Sequence, residues 1–145
     1  MALGCTRAGG LRGVEGFAVG VEADVAPGLP SFSVVGLADS ACGQAPDRIR
    51  AAGSNCGHPI PMRRITVNLS PASERKIGSR FDLGIAVAVL AAAGEIPVHV
   101  VRDVVHVGEL GLDATVRAVP GVLPVVLAAV RAGGCLLYTS PSPRD

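Results

Sequence analysis

At 145 residues the chain suits one domain able to bury a sizeable core. With 49% hydrophobic and 17% charged residues it is too apolar for disorder. Its net charge of +1, from 13 basic and 12 acidic residues, excludes a uniformly basic nucleic-acid module while leaving room for a local patch.

The first ten residues, MALGCTRAGG, lack the apolar run of a signal peptide. From Glu15 to Val25 the chain alternates, with Val19, Val21, Ala23 and Val25 against Gly20, Glu22 and Asp24, which predicts a strand with one covered face. After the Pro27-Gly28-Leu29-Pro30 turn, Ser31 to Gly36 reads as a second strand, expected antiparallel to the first. Asp39 or Ser40 can cap a helix reaching Asn55, and Pro46 favours a helix proper that starts near Ala45. Arg64 to Ser70 alternates again, Pro71 stops it, and a polar connection leads to an apolar helix from Phe81 to Ala93 with Gly94 at its end. The twelve charge-free residues Leu83 to Gly94 fall short of the ~20 needed to cross a bilayer, so no membrane contact is expected. Val104–Glu109 and Thr115–Val119 are expected to form a hairpin around Gly111–Ala114, followed by a helix from Val122 to Ala132. The order predicts an α+β fold, three helices packed on a mixed sheet. Residues 1–134 make the domain, and residues 135–145, CLLYTSPSPRD, are expected to be a non-native or disordered tail with no strand in it.

Chemistry is hard to find in these residues. Cys5, Cys42, Cys56 and Cys135 show no CxxC pair and no zinc spacing, and with His58, His99 and His106 they form no ligand pattern, so no metal is expected. Their low density points to reduced thiols in a cytoplasmic protein. The single lysine, Lys76, follows no glycine-rich run, and Gly10-Gly13-Gly16 is GxxGxxG rather than GxGxxG, so neither nucleotide motif is present. Ser70, Ser73 and Ser79 near Lys76 raise a Ser–Lys dyad, but Ser79 is better placed to cap the Phe81 helix. Asp82 suits a helix N-terminus and Glu109 a hairpin edge. One local excess stands out: Arg63, Arg64, Arg75, Lys76 and Arg80 fall within eighteen residues against Glu74 alone, with Arg48 and Arg50 able to add to them. Such a patch can face phosphate, although no aromatic interleaves it to stack bases.

The run VGLADSACGQAPDRIRAAGSNCGHPIPMRRITVNLSPASERKIGSRFDLGIAVAVLAAAGEIP, with VEGFAVGVEADVAPGLPSFSVVGL before it and VGELGLDATVRAVPGVLPVVLAAVRAG after it, resembles the N-terminal domain of the Mg-chelatase-like ComM/YifB family of AAA+ proteins. The resemblance spans residues 2 to 134 and implies a ribosomal-protein-S5-domain-2-like, Lon-protease-like fold. It implies a cytoplasmic, hexameric ATPase whose ATP and Mg2+ belong to a separate module beyond this fragment, and which in its competence member drives DNA branch migration during natural transformation. The expected partners are that module, neighbouring subunits and DNA. The chain departs from the family pattern at Ala38, at Cys42–Pro46, at Ser73–Lys76 and at Ala114, where the family has glycine. In Lon-type peptidases a Ser heads the helix matching Phe81 onward and its Lys partner lies in the helix after the hairpin. Asp82 and Leu123 fall at those places, which removes nucleophile and base together. The resemblance therefore implies a non-catalytic accessory domain that assembles the ring or guides DNA through the five cations. The alternatives are a protein-interaction module without nucleic-acid contact and a degenerate peptidase domain.

Overall fold

The structure, a computed structural model, describes residues 2–131 and 135–138. Its frame is a long antiparallel hairpin of β1 (Ala2–Arg12) and β2 (Glu15–Ala26), in register from Ala2↔Val25 to Arg12↔Glu15. β1 is absent from the sequence expectation because its glycines dilute the alternation. Gly4 earns its place by contact: a Cβ there would overlap the Ala88 carbonyl oxygen and the Ala92 nitrogen of the helix lying across the strand.

β4 (Arg64–Ser70) pairs antiparallel with β2, and β3 (Ser31–Val35) runs parallel to β4. The expected antiparallel pairing of β3 with β2 is therefore corrected. Ile65, Val67 and Leu69 are wholly buried, so β4 takes the interior slot, while β3, exposed at alternate residues, takes the edge. On the other side β5 (Val104–Val107) lies parallel to β1.

The hairpin expected between residues 104 and 119 divides at Gly108. Its N–H donates to the Arg80 carbonyl and its own carbonyl accepts from the Leu83 N–H, which pulls the chain off the main sheet. Only β6 (Glu109–Leu110) and β7 (Val116–Arg117) pair as a ribbon. A further strand, β8 (Cys135–Tyr138), adds parallel to β5, so the expectation of no strand there is corrected, and residues 139–145 lie outside the described residues. The sheet order is β3-β4-β2-β1-β5-β8.

The first helical segment splits in two: α1 (Ser40–Gly43), capped by Asp39, whose carboxylate accepts from the Cys42 N–H at 2.8 Å, and α2 (Ala45–Asn55), with Pro46 in its first turn. α3 (Asp82–Ala92), the single turn α4 (Val98–Val101) and α5 (Val122–Arg131) complete the fold. α2 and α3 cover one face of the sheet, where Val19, Val21, Ile49, Ile65, Val67, Phe81 and Ile85 form the main core. α5 covers part of the other face, its Val125 and Ala129 against Val105 and Val107. The mixed sheet with helices packed on it is the expected α+β class.

Candidate functional site

The head of α3 gathers the polar groups of the domain. Asp82 is wholly buried, and its carboxylate accepts from Arg48 Nε at 2.7 Å, from Arg48 Nη2 at 2.9 Å and from the Leu110 N–H at 3.1 Å. Arg48 also donates to the Ala41 carbonyl at 2.8 Å, so one guanidinium ties α1, α2 and α3 together. Burial pushes the Asp82 carboxyl above its ordinary range, opposed by the Arg48 contact, while bonding to Asp82 strengthens the hold of Arg48 on its proton. Nearby, Asp39 accepts from the Gly78 N–H at 3.1 Å, and Ser79 Oγ donates to Glu109. Ser79 thus does not cap α3 through its side chain, as its position had suggested; the hydroxyl spans to β6 instead. Burial, with Asp39 and Asp82 nearby, drives the Cys42 thiol up to about 12, so it stays protonated and unreactive at neutral pH.

The five cations of the sequence patch do not come together. Lys76 is wholly buried, its ammonium donating to the Gly36 carbonyl at 2.7 Å and to that of Pro71. Arg80 keeps only 9% of its surface. Arg63 and Arg64 are exposed at one end of β4, while Arg75 is exposed in the loop beyond the other end. The seven residues of β4 separate those ends by about 20 Å. Arg48 is spent on Asp82, and Arg50 lies over the Phe32 ring at 5.5 Å. The expectation of one five-residue cationic surface is thereby corrected: two carbonyls offset the desolvation of the Lys76 ammonium, Arg80 is buried as well, and the strand parts the rest.

Three groups escaped the sequence reading: Arg48 as the partner of Asp82, Asp39 as a lock between α1 and Gly78, and His106, buried in β5 with neither ring nitrogen hydrogen-bonded among the described residues. Only the lone carboxylate in an apolar helix start hinted at the first.

Residues 21–137, well over half of the chain, match the family described as subunit ChlI of Mg-chelatase. The chain belongs to that family. The ChlI-like chain is 47% identical over 133 residues to an uncharacterised Mycobacterium tuberculosis protein, covering 92% of this chain and 26% of the relative. It is 38% identical over 145 residues to Salmonella typhimurium YifB, covering all of this chain and 29% of that protein. It is 41% identical over 117 residues to the Haemophilus influenzae competence protein ComM, covering 81% of this chain and 23% of ComM. The chain thus spans about a quarter of the length of these curated relatives. In this ChlI-like domain the hairpin turn carries Ala114 at φ 71°, a left-handed conformation that costs an L-residue about 1–2 kcal/mol and explains why glycine suits the position. Leu123 is 68% exposed on α5, and the carboxylate of Asp82 is enclosed.

Proposed function

We propose that the chain is a non-catalytic N-terminal accessory domain of a Mg-chelatase-like AAA+ ATPase, acting in assembly of the ATPase ring. The observation that carries this reading is the state of the α3 head. The position where a Lon-type domain would keep its nucleophile holds a buried carboxylate locked by a bidentate guanidinium and a backbone N–H. That arrangement fixes three helices to one another and offers no hydroxyl to a substrate. ATP and Mg2+ then belong to the module outside this domain, and branch migration of DNA is the activity of the whole machine, in line with the competence role that the name of one relative carries.

DNA guidance by this domain is the second reading, and of the five cations of the sequence patch Arg63, Arg64 and Arg75 are the ones exposed for it. The two readings part in one experiment on the protein that carries this domain. Removing residues 1–131 is expected to lower the hexamer fraction at a given concentration in sedimentation. Reversing Arg63, Arg64 and Arg75 to Glu is expected to leave forked-DNA affinity and its salt slope unchanged. A lower slope with intact hexamers would transfer the role to DNA contact. Intact hexamers after the deletion would end the assembly reading.

A further inference from the structure

β3 closes one side of the main sheet, and among the described residues no strand pairs with its outer side. Its Ser31 N–H donates to the Arg63 carbonyl at 3.1 Å. By strand alternation the backbone groups of Ser31, Ser33 and Val35 therefore turn toward β4, while the N–H and C=O groups of Phe32 and Val34 turn outward. Sheet edges are ordinarily guarded by a charged side chain, a bulge or a very short strand, because such rows of free groups template another chain. β3 has none of these guards. It is five uncharged residues, SFSVV, in an unbroken ladder from Ser31↔Arg64 to Val35↔Asn68, and Pro30 precedes the strand rather than standing in it. Its flank is cationic and apolar. Arg64 stands opposite Ser31, Arg63 is exposed just before it, and Arg50 of α2 lies over the Phe32 ring at 5.5 Å. Among the described residues none of the three makes an ion pair. Leu29, two residues before the strand, and Met62, in contact with Arg50, are exposed as well.

We propose that β3 is a docking edge for a separate partner protein, which adds an extended segment bearing acidic side chains as a further strand of the sheet. Backbone pairing with Phe32 and Val34 supplies the affinity, and Arg50, Arg63 and Arg64 supply the selection for acids. A second copy of this chain offers no such segment among the described residues: the acids of β2 sit in an interior strand, and β6 is two residues long. The phosphate backbone of a nucleic acid presents acceptors alone, so it would leave the outward carbonyls of Phe32 and Val34 unanswered. The proposal does not depend on the ring-assembly reading, which the deletion experiment tests separately.

The probe is a six-residue peptide of alternating valine and glutamate with blocked ends, titrated into the 145-residue chain and followed by amide NMR. A valine–lysine peptide is the control. The glutamate peptide is expected to shift the Phe32 and Val34 amide signals along one saturation curve and to slow their hydrogen exchange, while the lysine peptide does neither. Reversing Arg63 and Arg64 to Glu should weaken the glutamate peptide about tenfold and let the lysine peptide bind instead. Val34→Pro removes one outward N–H and none of the bonds to β4, so it should abolish binding with the rest of the spectrum preserved. A readout on the wild-type chain needs no variant to fold. Methylating alternate backbone nitrogens of the peptide should abolish binding in one phase and spare it in the other, because a strand turns only every second N–H toward its neighbour. No saturable shift at β3, equal binding of the two peptides, or binding that survives methylation in both phases would each overturn the proposal. So would Phe32 and Val34 amides already protected, without peptide, in the longer protein that carries this domain, since its own chain would then cover the edge.

Discussion

His106 is buried in β5, 2% exposed, with both ring nitrogens lacking a partner among the described residues, and burial lowers its pKa from 6.5 to about 4. Between those values the unfolded chain binds a proton that the folded chain refuses. Stability therefore falls as pH drops through that window and is insensitive to this group above it, with a total loss of up to ~3 kcal/mol. Urea unfolding at pH 7 and at pH 4.5 checks this: the difference between the two should be smaller in His106→Leu than in wild type by much of that amount. Asp82 and Arg48 supply a second test. Asp82→Ala leaves a guanidinium buried against an empty site and should cost about 3–5 kcal/mol, whereas the double variant Asp82→Ala, Arg48→Met should lose less than the sum of the single losses. Equal and additive losses in denaturant titrations would mean that the pair is not coupled. The pairing itself was not legible in the sequence. A carboxylate at a helix start is explained well enough by the macrodipole, and residues 48 and 82 meet only because α2 is laid across the head of α3.

At the level of the elements, β2, β4 and α2 were readable because a period in the sequence maps directly onto burial on one face, and α3 because its unbroken apolar run ends at Gly94. β1 was not, since its glycines serve contacts made by other elements. Gly4→Val is expected to cost about 3 kcal/mol or more, because the added side chain meets backbone atoms of α3 that cannot rotate away. Gly13→Ala, in the open turn after β1 with φ 63°, is expected to cost only about 1–2 kcal/mol, the price of the left-handed conformation. Chemical denaturation of the two variants measures both, and similar losses would show that the β1–α3 approach is looser than the structure has it. The order of strands was likewise beyond local reading. Whether β3 lies beside β2 or β4 depends on which strand buries more in the centre of the sheet, a competition that no segment records alone.

For the whole molecule, the two hydrophobic clusters share one sheet: β1 presents Ala8 to the α3 side and Leu11 to the α5 side. Neither layer keeps a scaffold once the other is lost, so the chain should unfold in one transition, with far-UV circular dichroism and methyl NMR signals giving coincident curves. Two separated transitions would show that α5 with β5 melts independently. The sequence by itself determined the α+β class, the family and the absence of a nucleotide motif, because each of these is a matter of residue identity or of local period. Only the tertiary structure decided which charges are available. It buried Lys76 and Arg80, set Arg63 and Arg64 a strand's length from Arg75, and joined Arg48 to Asp82. Desolvation and partnership depend on what the rest of the chain brings alongside a residue, and spacing along the sequence does not carry that information.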